Sequence, residues 1–434
     1  MKAFIRAMRT PELRAKIFFT LGLLAIYRFG VFVPTPGFDY TNVNVCAEQA
    51  LAAQGGSVLG LVNMFSGGAL LQLSVFALGV MPYITASIIV QLLRVVIPRF
   101  EALHKEGQSG TAKLTQYTRY LTIGLAILQS TTIITLVRSG NFFVGCALDV
   151  VPDESILTLL LMVLTMTVGT VLIMWMGEMI TERGVGNGMS LLIFTSIAAS
   201  FPAAMGQVYQ ARGWLTVSLV ALVALVVMVG VVFVEQSQRR IPVQYAKRMV
   251  GRRMYGGTST YIPIKVNQAG VIPVIFATSI LAIPQMAASF GSPEDAWVKW
   301  INTHLVMGFT FSWVYALVYV ALIIFFAFFY VSITFNAEEI ADNMKKYGGF
   351  VPGVRAGRPT ERYLQYVINR IQTPGAIYLA VIAMLPLLAF VFLGASQNIP
   401  LGGASVLIII GVGLDTVKQI DAKLQQHHYE GILR

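Results

Sequence analysis

Few residues in this chain sit in arrangements that could do covalent chemistry. A phosphate-cradling loop needs its glycines and lysine at fixed offsets ahead of a helix. Gly107-Gln108-Ser109-Gly110-Thr111-Ala112-Lys113 has the right residue types at the wrong spacing. Gly184-Val185-Gly186-Asn187-Gly188 is also glycine-rich, but no strand precedes it and it joins two apolar runs directly, so it reads as a tight turn. No Cys/His cluster has metal-ligand spacing, and His427-His428 read as solvated tail residues. Apart from Asp415 at the end of the last run, the carboxylates lie outside the apolar runs, so neither a carboxylate pair nor a Ser/His/Asp site can be assembled. The expectation is a protein that is not an enzyme and needs no metal or cofactor, with any ATP hydrolysis done by a partner.

The remaining chemically capable groups are thiols and guanidiniums. Cys46 and Cys146 are the only cysteines, too few for a disulfide framework. They are either free or paired with each other. Lys and Arg crowd two segments, 239–265 and 345–370, whose tips are punctuated by glycine: Gly251-Arg252-Arg253 and Pro352-Gly353-Val354-Arg355. Arginines presented this way suit contact with phosphates or carboxylates, as on a large partner. The plainer alternative is that this charge only orients the loops.

The elements that carry these groups follow from hydropathy. Of 434 residues, 56% are hydrophobic and 12% charged, against about 25% charged in soluble domains. Continuous apolar runs recur, and about 20 residues cross a bilayer core as a helix. They lack the period-two alternation of a membrane barrel. The fold class expected is an all-α polytopic membrane protein. Ten spans are predicted, near 17–33, 73–93, 117–137, 156–176, 188–205, 214–234, 268–288, 313–335, 375–394 and 401–417. The first run leads into Pro34-Thr35-Pro36 with no Ala-x-Ala cleavage site, so it is read as a retained span.

Loop charge sets the orientation. With both termini in the cytosol, cytosolic segments hold 27 of the 31 Lys and Arg, and the outer loops hold Arg138, Arg212 and Lys299. The net charge of +11 therefore follows topology rather than nucleic-acid binding. Arg28 lies inside the first span near its outer end, where it is expected to snorkel to the interface. The region 57–97 is long enough for two crossings, but two would place the basic stretch 94–119 outside. One crossing satisfies the charges and leaves 57–71 as a re-entrant half-segment, breakable at Gly67 and Gly68. Non-helical backbone at membrane depth needs protein or a water-filled cavity around it. A short helix lying on the outer surface is the alternative. Five spans fall in 1–206 and five in 207–434, the parity of an inverted duplication, although no sequence repeat is visible.

Several stretches resemble the SecY family, in order along the chain. They include Pro34-Thr35-Pro36-Gly37, Asn63-Met64-Phe65-Ser66-Gly67-Gly68-Ala69-Leu70, Leu78-Gly79-Val80-Met81-Pro82-Tyr83 and Gly107-Gln108-Ser109-Gly110. Ile180-Thr181-Glu182-Arg183-Gly184, Val266-Asn267-Gln268-Ala269-Gly270 and Ala341-Asp342-Asn343-Met344 follow. The resemblance implies ten helices in two inverted, pseudo-symmetric five-helix halves around a pore with a lateral gate. Secretory polypeptides would cross unfolded, and transmembrane segments would leave into the inner membrane. It implies that 57–71, centred on Asn63, Met64, Phe65, Ser66, Gly67, Gly68 and Ala69, is a plug. Val80, Ile84, Ile193, Ile275 and Ile408 match a pore ring, with Val80 a conservative departure. Arg252, Arg253 and Arg355, in the loops 235–267 and 336–374, match partner-docking positions. Thr85 and Gln129 match polar lateral-gate positions, which an apolar Ile283 would face. The partners implied are the SecE and SecG subunits, the SecA motor, the ribosome, preproteins with their signal sequences, and membrane lipids.

Two other function classes compete. A secondary transporter would keep ionisable residues at a midplane site, and these runs hold almost none. A purely structural scaffold would have no use for a re-entrant segment.

Overall fold

The computed structural model describes residues 10–53, 63, 66–140, 142–143, 146, 148–153, 155–245, 248–250, 253–255, 259–288, 291, 295–305, 312–393 and 403–432. The apolar runs form helices because a helix satisfies every backbone polar group within its own segment. In the first part of the chain these are α1 (Pro11–Gly30), α2 (Tyr40–Ala53), α3 (Met81–Val96), α4 (Pro98–Lys105), α5 (Gln108–Arg138), α6 (Ile156–Arg183) and α7 (Gly188–Gln236). The short strands β1 (Gln238–Tyr245), β2 (Arg248–Val250), β3 (Arg253–Tyr255) and β4 (Ser259–Lys265) follow. Then come α8 (Ile272–Ala288), α9 (Ala296–His304), α10 (Trp313–Thr334), α11 (Ala337–Lys346), β5 (Gly349–Phe350), α12 (Arg358–Leu393) and α13 (Gly403–Ile432).

Each of the ten expected spans overlaps a helix. Among the described residues, five helical stretches are long and apolar enough to cross a membrane: Gln108–Arg138, Ile156–Arg183, Gly213–Gln236, Trp313–Lys346 and Arg358–Leu385. A sixth arises if α3 and α4 count as one span, although they meet at 100°. Pro98 causes that bend, since the preceding Ile97 is pushed to extended backbone (φ −104, ψ 112). Helix α7 is two helices meeting at Gly213, whose φ of 76 is left-handed. The chain is a multi-pass membrane protein of mostly helical build.

Two expectations are corrected. The second span was expected from residue 73, but α3 begins at Met81 and residues 66–80 run as turns. Gly67, Gly68 and Gly79 take positive φ there, which breaks the helix, and Pro82 in the first turn starts the next one. The chain is also not all-α. β1 lies between β4 and β5 in an antiparallel three-stranded sheet, so the two basic loops share one sheet. Along β1, Ile241 and Val243 alternate with exposed neighbours and pack on Met344, Leu364 and Val367.

Within the first part, α3 packs on α5, α5 on α6, and α6 on α1 and α7. In the second part α8 packs on α10, α10 on α12, and α12 on α13. Helix α13 also packs against α7, and α8 touches α3, so the two parts meet along two lines.

Candidate functional site

The turn segment 66–80 is seated between helices and knitted by its own side chains. The Asn63 carbonyl accepts from the Gly68 amide (2.9 Å) and the Ser66 hydroxyl (3.0 Å), and Asn63 Oδ1 accepts from the Leu71 amide (3.0 Å). Ser66 Oγ accepts in turn from the Leu70 amide (3.1 Å). At the far end, Val75 donates to the Val33 carbonyl and Thr35 to the Leu73 carbonyl, forming a bridge between Pro34 and Ser74. Helix α6 approaches so closely that a Cβ at Gly169 would collide with the Val75 carbonyl.

Beside this segment, four elements bring aliphatic side chains together. Val80 ends the turn segment, Ile84 lies in the first turn of α3, Ile193 on α7, Ile275 near the start of α8 and Ile408 on α13. Val80, Ile193 and Ile408 are buried, Ile84 and Ile275 partly so, and all five belong to one apolar cluster. Ala69 of the turn segment is in the same cluster. Tyr27 stacks on Phe76 there, and its hydroxyl hydrogen-bonds Ser196 Oγ at 2.6 Å. A narrow collar of aliphatic groups expels water and so blocks ions, while remaining deformable.

Arg28 is half-buried and its Nη1 donates to the Gly67 carbonyl at 2.6 Å. This contact was not legible in the sequence, where nothing brings residues 28 and 67 together.

Where α3 meets α8 and α10, the buried side chains are Ile88, Phe276 and Phe326, with Ile84 and Ile280 against them. Thr85 is half-buried and bonds its own helix at the Met81 carbonyl (3.0 Å). Gln129 is half-buried on α5. Ile283 is 60% exposed and lies outside this seam. Sequence reasoning missed Ile88, Phe276 and Phe326, since an apolar residue in an apolar run carries no mark distinguishing a seam from a core.

Of the basic residues, Arg355 is exposed between β5 and α12, where its carbonyl accepts from Thr360 Oγ1 (2.8 Å). Arg253 opens β3 and pairs in register with Val250. Arg252, like Met64 and Phe65, lies outside the described residues. Cys46 and Cys146 are joined in a disulfide. Among the described residues no group of His, Cys, Asp and Glu could hold a metal ion.

A model of the SecY family matches residues 74–417. The protein translocase subunit SecY of Streptomyces coelicolor is 60% identical, with the whole of both chains covered. That of Mycobacterium bovis is 59% identical, again over the full length of both. Among solved structures, a protein-conducting channel aligns with a TM-score of 0.62 at 16% identity, covering 93% of this chain and 91% of that one. Sec61 in the canine ribosome-channel complex aligns with a TM-score of 0.60 at 15% identity and the same coverage. These distant structures share the fold.

Proposed function

This chain belongs to the SecY family, and we propose that it passes unfolded secretory polypeptides across the inner membrane and releases transmembrane segments sideways into it. It is a protein-conducting channel. The observation that carries the finer reading is the convergence of Val80, Ile84, Ile193, Ile275 and Ile408 from the turn segment and four helices into one apolar cluster, with Ala69 in it. At rest this collar is the ion barrier and the segment 57–71 is the plug. A crossing chain displaces the plug and spreads the collar, whose aliphatic side chains close around whatever passes.

Lateral release is supported by the thin contact between α3 and α8. Parting the seam of Ile88, Phe276 and Phe326 exposes apolar surface that an apolar signal or transmembrane segment can cover. No ion pair links α3 to α8 or α10 among the described residues. In this reading ten helices span the membrane in two inverted halves, 1–206 and 207–434, with both termini cytosolic. Thr85 and Gln129 line the gate.

The channel consumes no nucleotide; the driving force comes from a SecA motor or a translating ribosome docked on the two basic loops. Arg252, Arg253 and Arg355 are the contacts proposed for it, and SecE and SecG complete the membrane complex. Reconstitution into vesicles with and without SecA, scored by protease-protected preprotein, tests the function. Protection that needs both proteins and ATP is expected. Equal protection from vesicles lacking this chain would overturn it.

A further inference from the structure

We propose that Arg28 is the latch that fastens the plug to α1, and that opening the channel requires the Gly67 carbonyl to leave the Arg28 guanidinium. The proposal rests on reading 57–71 as the plug.

Arg28 is the one basic residue in the last turn of α1, whose other basic residues, Arg14 and Lys16, lie near its start. No ion pair neutralises it among the described residues. Its guanidinium rests on the Phe32 ring, 4.9 Å from the centroid, and directs a donor to the Gly67 carbonyl at 2.6 Å. A charge in apolar surroundings is costly unless its donors are used. The neighbouring Tyr27, Ser66, Ala69 and Ser196 are all fully buried, which leaves water access to this part-buried donor only from the side of the exposed Phe32. Charge-assisted hydrogen bonds of this kind are roughly twice as strong as neutral ones.

Gly67 is shaped to receive it. The residue sits at φ +70, a left-handed conformation that favours glycine. A Cβ there would lie 3.2 Å from Arg28 Nη1 and 3.2 Å from the Ser196 Cα, tighter than ordinary packing on both sides. Both the carbonyl's position and the guanidinium's approach therefore depend on the missing side chain.

The segment behind Gly67 moves as a unit. Its hydrogen bonds run inward, from Gly68, Ser66 and Leu71 to Asn63. Its base is tied separately, at the bridge between Pro34 and Ser74. Among the described residues, Ala69 and Leu70 hydrogen-bond only within the segment and its base, to Ser66, Leu73 and Ser74, and their contacts with the surrounding helices are apolar and non-directional. With the base held, the latch is the polar contact that fixes the angle of the plug. Breaking a single charged hydrogen bond then frees the unit to swing about residues 73–75.

The test uses the full-length channel, reconstituted with its partners, in six forms: native, Arg28→Met, Arg28→Lys, Gly67→Ala, a deletion of 63–69, and Arg28→Met combined with that deletion. Resting conductance in planar bilayers and export of a preprotein with a defective signal sequence are both measured, because a merely structural defect would lower export rather than raise it. Arg28→Met is expected to raise both by about tenfold or more, the scale of losing one charged hydrogen bond. Gly67→Ala should do the same from the other side of the contact, and Arg28→Lys should fall between. Combined with the deletion, Arg28→Met should add nothing, since the latch then has nothing to hold. A silent Arg28→Met beside a leaking deletion would overturn the latch and leave the plug standing. A leak from Arg28→Met that adds to that of the deletion would also overturn it. If the deletion itself is silent, the plug reading falls first. Should Arg28→Met fail to assemble, Gly67→Ala decides: assembled and silent, it refutes the latch.

Discussion

Cys46 and Cys146, separated by 100 residues, are joined by a disulfide with their Cα atoms 5.4 Å apart. The bond ties α2 to the segment between α5 and α6, inside a core that also holds Val43, Leu70, Leu71, Phe142 and Phe143. The Leu70–Leu71 end of the proposed plug therefore packs against a covalently closed platform. Thiol reagents should find no target in the native protein. After reduction the partly exposed Cys146 should label, from the outer face only, while the buried Cys46 should label only on unfolding. Cys46→Ser should lower the unfolding transition, since closing a loop of this size is worth about 2–5 kcal/mol. Labelling without reductant, or from the cytosolic face, would contradict the pairing or the proposed orientation respectively.

Arg119 grips Glu178 with two hydrogen bonds, Nε at 2.9 Å and Nη2 at 2.7 Å, joining α5 to α6. The Glu178 side chain is 16% exposed, the Arg119 side chain 38%, so solvent screens the pair partly. Removing one partner of a fully buried pair costs about 3–5 kcal/mol; with this exposure about 1–2 kcal/mol is expected. Arg119→Leu and Glu178→Leu should each destabilise the detergent-solubilised protein, and the double variant should cost less than their sum. Strict additivity in that thermal-melt cycle would show the pair to be energetically idle.

How much of this was readable beforehand differs from feature to feature. The helices were legible because long apolar runs in a bilayer have few alternatives to helix. Their exact starts were not: three positive-φ glycines delay α3 to Met81, and hydropathy does not register backbone conformation. The sheet escaped notice because the loops were read for charge alone, while Ile241 and Val243 carry a period-two signal only two residues deep. The disulfide could not be derived, since two outer loops 100 residues apart have no sequence-visible distance. The five aliphatic collar positions were named by family resemblance. Each is an ordinary apolar residue in an apolar run, and only the tertiary fold places them in one cluster.

The exposed Arg355 should matter for partners and not for folding. Arg355→Glu should weaken SecA or ribosome binding by about tenfold at low salt, as rim charges govern electrostatic steering. The defect should shrink at high salt, because exposed charges are screened over roughly 10 Å at 0.1 M. Binding of the purified partner to reconstituted channel, titrated against ionic strength, measures both. Normal binding at low salt would return the basic loops to a purely orienting role.

The collar is the most direct test of how the channel seals. Val80, Ile193 and Ile408 are buried, and Ile84 and Ile275 pack against the same cluster. Making two of them polar should wet the constriction. Burying an aliphatic side chain is worth about 1.5–3 kcal/mol, so two losses can shift a balanced closed state by orders of magnitude. Ile84→Asn combined with Ile275→Asn should raise resting conductance and relax the demand for a good signal sequence. The matching control is Leu219→Asn with Leu222→Asn, because both leucines are exposed on the second half of α7, the least buried of the spanning stretches. That pair should change neither quantity. Leak from the paired substitutions at Ile84 and Ile275 should also exceed that of deleting 63–69, since the deletion leaves the collar in place. Single-channel recording on protein shown to be folded and inserted separates these outcomes. Silence from the collar pair would assign the five residues to packing alone.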